Sequence, residues 1–317
     1  MLDSEIRSLA SSAGFDLVGI CSAVEPFSGA PFNDFWLSEG HHAGMDYLVR
    51  QAELRRSLEN VMPGARSAIV VGLNYAQPNP HRKGFPRIAR YALGRDYHRV
   101  MRRRLSGIAR QLQVAQPQAT FRACVDSVPV FERELANRAG IGWFGKNTMI
   151  INSQRGSWFL LGVLLTDLEL ATDQPAVGGC GTCRTCIEAC PTGAIVQEEG
   201  VWQIDSNRCV SYWTIEHKGE IPRELSSRFQ DWTFGCDICQ EVCPFNTERE
   251  SQPLRAATTQ DRDFLAKEGE PRLVDILSMT QDDFALWTEG RAIRRAGLEG
   301  WRRNAQISLE NAQNGIL

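Results

Sequence analysis

The chain has 317 residues, 43% of them hydrophobic and 23% charged, which is ordinary for a folded protein of about two domains. A net charge of −3 excludes a protein that is basic over its whole surface. The N-terminus lacks the apolar segment of a signal peptide, and no apolar run reaches the ~18 residues of a membrane span. We therefore expect a cytoplasmic protein without membrane contact.

The first part of the chain alternates between helical and strand-like periodicity. Apolar residues at intervals of three and four predict helices, and short β-branched runs between turn residues predict strands. In chain order we predict a helix over 4–13, a strand over 15–22, helical pieces and loops over 26–63, a strand over 67–75, a helix over 96–114, a strand over 120–125, a helix over 130–139 and a hairpin of 148–152 with 157–166.

Two polar segments of this part are candidates for a site. Asp126 follows a predicted strand and precedes a predicted helix, where α/β folds place ligand-facing residues. It is either a helix cap or a proton donor, and a donor needs a desolvated carboxyl, which Arg133 would oppose or tune. The loop over 140–148 combines glycines with two aromatic residues, a lysine and an amide, which favours close approach of a flat ligand.

Eight of the ten cysteines lie between residues 180 and 243 and have the spacing of a two-cluster ferredoxin. The first run is C-x2-C-x2-C-x3-C-P, the second is C-x2-C-x3-C-P, and one cysteine lies between them. In such proteins the fourth cysteine of a run binds the cluster of the other run. We therefore predict one [4Fe–4S] cluster on Cys180, Cys183, Cys186 and Cys243, and a second on Cys190, Cys209, Cys236 and Cys239.

Other uses of these cysteines fit less well. Structural zinc favours two C-x2-C pairs or mixed Cys/His ligands, and neither run contains a histidine. Disulfides need an oxidising compartment and do not explain two Cys-Pro endings. Cys21 and Cys124 lie outside the pattern in apolar stretches, and we predict that both are buried free thiols.

Turn-rich residues 170–179 precede the cysteine region, and polar helical segments follow it. The predicted domains are an α/β core over 1–177, a ferredoxin-type module over 178–247 and a short helical region over 248–317. The last region contains predicted helices at 273–279, 280–286 and 301–311.

Two segments concentrate positive charge. Residues 82–110 contain ten basic residues and one acid, Asp96, and residues 291–303 contain five arginines and one acid, Glu299. Such patches bind polyanions or form solvated helix faces that acids elsewhere in the fold balance. The sequence leaves both interpretations open.

Four blocks carry a resemblance to a known family. They are Tyr-Ala-Leu-Gly-Arg-Asp-Tyr-His at 91–98, Val-Asp-Ser-Val-Pro-Val-Phe-Glu-Arg at 125–133, Ala-Gly-Ile-Gly-Trp-Phe-Gly-Lys-Asn-Thr at 139–148, and the cysteine runs. In this order they resemble the epoxyqueuosine reductase family over about residues 5–250. The cysteine runs alone would fit any two-cluster ferredoxin domain, whereas the other blocks are specific.

The resemblance implies an α+β fold whose α/β-type cobalamin-binding core is similar to the nitroreductase-like core of reductive dehalogenases. A ferredoxin-like module is inserted after this core, and a short α-helical region follows. The implied reaction is the cobalamin-dependent reduction of epoxyqueuosine to queuosine at the wobble position of tRNA, the last step of queuosine biosynthesis. Two [4Fe–4S] clusters would pass electrons from a low-potential donor, such as a flavodoxin or ferredoxin, to a monomeric enzyme.

The resemblance also implies roles for individual residues. Asp126 corresponds to the family's general acid. The implied cobalamin contacts are Arg90, Tyr91, Tyr97, His98, Asp126, Arg133, Gly145, Lys146, Asn147, Thr148, Ser211 and Asp237. The arginines of the two basic segments would then bind tRNA phosphates, and we select Arg99, Arg102, Arg103, Arg104, Arg294, Arg295, Arg302 and Arg303.

Two other functions remain open at this point. One is a pure electron-transfer protein with two clusters and no substrate chemistry. The other is a cobalamin-dependent reductive dehalogenase, although those enzymes carry an export signal that this N-terminus lacks.

Overall fold

The computed structural model describes residues 2–79, 82–247 and 257–315. Helices and strands alternate in its first half and become short in the cysteine region. The helices are α1 (Leu2–Ser12), α2 (Ala30–Ser38), α3 (Asp46–Arg50), α4 (Ala52–Arg55), α5 (Tyr97–Ala115), α6 (Glu132–Arg138), α7 (Thr185–Ala189), α8 (Val210–Ile215), α9 (Arg223–Ser226), α10 (Ile238–Glu241), α11 (Leu273–Ser278), α12 (Gln281–Trp287) and α13 (Gly297–Gln313). The strands are β1 (Leu17–Ser22), β2 (Ser67–Asn74), β3 (Arg87–Ile88), β4 (Phe121–Cys124), β5 (Trp143–Phe144), β6 (Ile150–Ile151), β7 (Phe159–Thr166), β8 (Ile195–Glu198), β9 (Val201–Ile204) and β10 (Trp232–Phe234).

The core is a four-stranded sheet in the order β1-β2-β7-β4, and every pairing in it is antiparallel. Side chains of a strand alternate between the two faces, so β2 contributes to two separate cores. Ile69 and Val71 pack with α1 and α5 on one face, and Val70 packs with α6 on the other. The mixed helical and stranded fold is therefore confirmed, with helices on both sides of an antiparallel sheet.

Helix α5 and strand β4 form a tight pair that determines where the site lies. The apolar stripe of α5, including Met101, Leu105 and Ile108, is buried against the sheet. A short turn then leads into β4, so the chain reverses and the start of α5 lies beside the end of β4. Asp96 caps the start of α5 by accepting the backbone N–H of His98 at 3.0 Å.

The predicted helices over 4–13, 96–114, 130–139, 273–279, 280–286 and 301–311 are confirmed with shifts of a few residues at their ends. The predicted hairpin of 148–152 with 157–166 is wrong. Strand β6 pairs with β5 instead, and β7 pairs with β2 and β4 in the central sheet. Only the bridge between Asn152 and Gly156 closes the turn that the sequence suggested.

A short parallel pairing, β10 with β3, is the strand pairing that joins the cysteine region to the core in the described residues. Around it a third hydrophobic cluster brings together Ile88, Phe234 and Trp301, which come from the core, the cysteine region and α13. In the described part of the chain, no helix is both long and apolar enough to cross a membrane.

Candidate functional site

Asp126 lies at a sharp turn just past β4. Its backbone has φ of +46°, a left-handed conformation that a residue with a Cβ rarely adopts. Its backbone N–H donates to Glu132 Oε1 at 2.6 Å. The cap position of α6 belongs to Phe131, so Asp126 is not the helix cap that the sequence allowed. The central sheet is antiparallel, so Asp126 does not lie at the end of a parallel strand, where α/β folds place ligand-facing residues.

The Asp126 carboxylate belongs to a hydrogen-bonded row of three side chains. Asp126 Oδ2 lies 2.9 Å from His98 Nε2, and His98 Nδ1 lies 2.7 Å from Asp96 Oδ1. Because Asp96 and His98 begin α5 and Asp126 ends β4, the reversal of the chain brings them together. The histidine ring is thus held at both nitrogens between two carboxylates.

These contacts decide where the proton resides. Burial alone would lower the pKa of His98, but the hydrogen bonds to Asp126 and Asp96 outweigh it and raise the pKa to about 9. Burial would raise the pKa of Asp126, but the hydrogen bond and charge of His98 lower it below its ordinary value. At neutral pH His98 therefore carries the proton and Asp126 is ionised. A donor role for Asp126 therefore requires a neighbouring group that supplies the proton.

Two tyrosines line the same region. The Tyr97 ring stacks on His98 at 4.0 Å, and Tyr91 meets Tyr97 edge to face at 5.9 Å. Burial, followed by the charge of Asp126, raises the pKa of both hydroxyls, so they stay protonated at neutral pH. Tyr97 also hydrogen-bonds Asp126.

The Asp126 side chain is crowded by these groups, yet 57% of its surface is open to solvent. We call the solvent-open space that this carboxylate faces the recess. Arg133, expected to tune Asp126, donates instead to the Thr148 carbonyl at 2.7 Å, and Arg55 is the arginine whose charge helps His98 to lower the pKa of Asp126. This exposed carboxylate, with the rings of Tyr91 and Tyr97 close by, fits a large, flat cofactor such as a corrin.

The loop over 145–148 connects this recess to both cysteine runs. Lys146 Nζ donates to the carbonyls of Gly181 and Cys183, each at 2.8 Å, and Asn147 Nδ2 donates to the Cys239 carbonyl at 3.1 Å. A Cβ on Gly145 would lie 2.6 Å from the Asn147 side chain, so close packing requires glycine there. The side-chain donors of two predicted cobalamin residues therefore hold the cysteine loops.

Arg90 and Asp237, two further predicted cobalamin residues, form an ion pair at 3.0 Å, and Glu241 lies 2.6 Å from the same guanidinium. Burial raises the pKa of Asp237 to about 6, with Arg90 opposing the shift. Ser211 is half-buried on α8, two residues after Cys209. These residues lie at the boundary between the core and the cysteine region.

The structure brings the first predicted cysteine set around one pocket. A small pocket of about 40 Å³ is lined by four cysteines together with Lys146 and Asn147. The four are Cys180, Cys183, Cys186 and Cys243. Four thiols without histidine or carboxylate ligands fit an iron–sulfur cluster.

The second predicted set is also assembled. Burial raises the pKa of Cys209, and Cys190 is among the charges that add to the shift. Burial also raises the pKa of Cys239, and the charges of Cys209 and Cys190 add to that shift. The pKa of Cys236 is raised by burial and by the charges of Cys239 and Cys209. Tyr75 is close to both Cys239 and Asp237, and Tyr91 is close to both Asp237 and Asp126. This set is therefore linked through Asp237 and two tyrosines to the Asp126 recess.

None of the ten cysteines is in a disulfide. Among the described residues, no group of three or more His, Cys, Asp or Glu side chains could hold a single metal ion. Cys21 and Cys124 are buried, as predicted, and burial raises the pKa of each to about 12.

Several predicted tRNA-binding arginines have partners within the protein. Arg103 and Arg104 lie 3.1 and 3.3 Å from Asp263, and Arg295 lies 2.7 Å from Glu216. Arg302 pairs with Glu299 and donates to a backbone carbonyl, and Arg303 donates to three backbone carbonyls.

Other predicted tRNA-binding arginines remain available. Arg99, Arg102 and Arg294 are exposed, and none forms a salt bridge within the described ranges. Arg102 Nη2 lies 3.3 Å from Ser127 Oγ, directly beside the Asp126 turn. This part of the basic segment borders the recess.

Sequence reasoning missed three side chains of this site. Asp96 lies in the family block over 91–98 but was given no role of its own, although the Asp-Tyr-His order places an acceptor two residues before a histidine. Glu132 lies in the family block over 125–133 but was given no role, because its contact with Asp126 depends on a turn. Arg55, on α4, reaches Asp126 only through the fold.

Comparisons with known proteins agree with this geometry. The family model described as "4Fe-4S double cluster binding domain" matches residues 179–246, and that described as "Epoxyqueuosine reductase QueG" matches residues 55–127. The epoxyqueuosine reductase of Vibrio cholerae is 39% identical and spans 98% of this chain and 84% of its own length.

Two solved structures show the same similarity in three dimensions. An epoxyqueuosine reductase crystallised with an epoxyqueuosine-modified tRNA-Tyr stem loop has a TM-score of 0.84 at 27% identity, covering 98% of this chain and 81% of that one. A Bacillus subtilis epoxyqueuosine reductase, with its catalytic aspartate loop swung out of the active site, has a TM-score of 0.84 at 26% identity, covering 99% and 82%.

Proposed function

The chain belongs to the epoxyqueuosine reductase family, and we propose that Asp126 protonates the departing epoxide oxygen with His98 as its proton source. The protein is an oxidoreductase that reduces epoxyqueuosine to queuosine in tRNA. The two alternative functions, a pure electron-transfer protein and a reductive dehalogenase, are not favoured. The relatives that span nearly the whole chain are epoxyqueuosine reductases.

The reaction removes one oxygen as water and leaves a carbon–carbon double bond, so it takes two electrons and two protons. Side chains do not supply such electrons, and a cofactor must. Cobalamin supplies a strongly nucleophilic reduced cobalt when bound, and two [4Fe–4S] clusters deliver the electrons. The chain's own task at the substrate is to orient the epoxide and move protons to its oxygen.

The row Asp96–His98–Asp126 is the single observation that carries the proton role. His98 holds a proton at neutral pH and contacts Asp126 at 2.9 Å, while Asp126 faces the open recess. When negative charge develops on the epoxide oxygen, transfer from His98 through Asp126 supplies the first proton, and solvent supplies the second proton of the released water. Asp96 keeps the histidine ring oriented and stabilises its charged form.

The corrin would lie in the recess beside the tyrosines. Tyr91, Tyr97 and the backbone of the loop over 145–148 would contact it, and Arg133 would support that loop through Thr148. Lys146, Asn147 and the Arg90–Asp237 pair would act mainly by tying the recess to the cysteine runs. Ser211 would contribute from α8, near Cys209.

The proposed domain division is a core over 1–177, a cluster module over 178–247 and a helical region over 248–317. The match of the double-cluster family model to 179–246 supports the two boundaries of the cluster module. The set containing Cys239 would be the cluster nearer the recess, because Tyr75 and Tyr91 link it to Asp126. A flavodoxin or ferredoxin would reduce the other cluster of this cytoplasmic monomer.

The modified anticodon loop would reach the recess along its basic border. One relative is bound to an epoxyqueuosine-modified stem loop, which makes the same substrate reasonable here. Arg99, Arg102 and Arg294 would contact phosphates, because these residues are exposed and form no salt bridge within the described ranges. The other predicted arginines already have partners within the protein and would instead stabilise the fold. They are Arg103, Arg104, Arg295, Arg302 and Arg303.

The proton role is tested by incubating reconstituted Asp126→Asn protein with cobalamin, a low-potential reductant and epoxyqueuosine-containing tRNA. Asparagine keeps the shape but cannot transfer a proton, so queuosine formation, followed by mass spectrometry of nucleosides, should fall by about 10²–10⁴-fold. Iron content and cobalamin binding should stay at wild-type levels. A wild-type rate in this variant would remove Asp126 from the proton path.

A further inference from the structure

The turn that carries Asp126 has little backbone support of its own. From Val125 to Val130 the loop's backbone–backbone hydrogen bonds are Ser127 N–H to the Val125 carbonyl at 2.5 Å and Val130 N–H to the Val128 carbonyl at 2.8 Å. Each spans only two residues. The left-handed conformation of Asp126 is unfavourable for a residue with a Cβ, so something else must hold it.

Glu132 supplies that support from a rigid element. It is the first residue of α6, whose Leu135 and Ala136 are fully buried against the sheet. From there Glu132 Oε1 accepts the Asp126 backbone N–H at 2.6 Å. The contact joins residues six positions apart and closes the turn.

We propose that Glu132 is a positioning residue, which holds the Asp126 backbone so that the Asp126 side chain faces the recess. This rests on the proposed proton role of Asp126. In this role Glu132 acts on the reaction through Asp126, because its Oε1 accepts the Asp126 N–H.

The groups around Glu132 fit a neutral acceptor. Burial raises the pKa of Glu132 to about 8, the charge of Asp126 adds to the shift, and Arg55 and Arg133 oppose it. Tyr97 also lies near Glu132. A carboxylic acid that is neutral at pH 7 is closely matched in shape and acceptor by glutamine, which makes a sharp substitution available.

The experiment compares Glu132→Gln, Glu132→Met and Glu132→Asp in fully reconstituted enzyme at pH 7. Glutamine keeps the acceptor, so kcat should stay within about twofold of wild type, since a neutral hydrogen bond of similar strength remains. Methionine removes the acceptor, and kcat should fall roughly 10²-fold, the scale of a misplaced catalytic group. KM for the tRNA stem loop, iron content and Tm should stay near wild type.

A matched control comes from the same helix. Glu134 accepts the backbone N–H groups of Ser28 and Gly29 and pairs with Arg138, away from the Asp126 turn. Glu134→Gln should lower Tm and leave kcat unchanged. This separates loss of a buried carboxylate in α6 from loss of the contact with Asp126.

The outcomes distinguish the two proposals. Wild-type kcat in Glu132→Met, or an equal loss in Glu132→Gln and Glu132→Met, would overturn the positioning role while Asp126→Asn still tests the proton role. If the methionine variant does not fold, Glu132→Asp decides, because its shorter side chain cannot reach the Asp126 N–H and kcat should again fall. A wild-type kcat in that variant would also overturn the proposal.

Discussion

His98 is charged at neutral pH although it lies at the start of a helix, where the helix dipole disfavours a cation. Two carboxylates make this possible, one at each ring nitrogen. The arrangement lets one side chain store a proton while Asp126, which faces the recess, remains ready to accept and pass it on. His98 would thus store the proton and Asp126 would deliver it.

This division predicts a pH dependence of stability. The folded-state pKa of His98, about 9, is above its ordinary value of 6.5, so the charged form stabilises the folded protein. The contribution should be complete below pH 6.5 and should disappear as the pH rises through 9. In thermal unfolding of the reconstituted protein, the Tm difference between wild type and His98→Gln should shrink between pH 6.5 and 9.

His98→Gln keeps a polar side chain of similar reach but cannot be charged, so subtracting the two melting curves removes titrations common to both. A Tm difference that stays constant over this pH range would contradict the raised pKa of His98.

The sequence predicted some residues of the site but not their contacts. Asp126 stood out because it ends an apolar strand, and its family block supported it. Its partners did not stand out, because a hydrogen bond between His98 and Asp126 depends on the reversal from α5 to β4. The role of Glu132 could not be found from its block, since its contact with the Asp126 N–H depends on the left-handed backbone at Asp126.

At the level of elements, the loop over 145–148 works as a clamp between the cysteine runs. Lys146 holds the first run and Asn147, which is 2% exposed, holds the second. The two cluster sites should therefore be mechanically coupled through one short loop of the core.

Cys209 is the one predicted ligand outside a run, and it precedes α8 as its cap residue. Cys209→Ala should lower iron content by up to one four-iron cluster and alter the electron paramagnetic signal of only one cluster. Anaerobic reconstitution followed by iron analysis and spectroscopy measures both.

Cys21→Ala is the matched control, because Cys21 is a buried thiol that contacts the Leu135 carbonyl and no cysteine run. It should keep full iron content, close to eight irons per chain for two four-iron clusters. Full iron content in Cys209→Ala as well would contradict the ligand assignment.

Element positions were predicted better than element pairings. The amphipathic stripe of α5 and the apolar run of β2 are local patterns, so their types follow from periodicity. The hairpin failed because β6 and β7 are both apolar, and nothing local says that β6 pairs with β5 and β7 enters the central sheet.

Over the whole molecule, positive charge that looks concentrated in the sequence is partly neutralised by acids far along the chain. Asp261 and Asp263 contact Arg95, Arg103 and Arg104. Net charge and local counts could not reveal this, because the pairing requires the segment after residue 257 to lie against α5.

Salt dependence of tRNA binding should distinguish the two kinds of arginine. Arg102→Ala should reduce the slope of log affinity against log salt by roughly 0.7 to 0.9 if one phosphate contact is lost. Arg103→Ala, the neighbouring control, should change the slope less, because Arg103 already pairs with Asp263. Equal slopes in wild type and Arg102→Ala would show that Arg102 makes no phosphate contact and belongs to a solvated helix face.

The parallel pairing of β10 with β3 has a consequence for how the polypeptide assembles. Arg87, in β3, contacts Asp231, the residue before β10, across 144 positions of sequence, so the pairing closes a very long loop. Long-range closure of this kind is slow compared with local helix–strand contacts. We expect the antiparallel sheet to form early and β10 to dock only once the cysteine segment has taken shape. Maturation of the metal centres would thus be a step on the folding pathway of the C-terminal half.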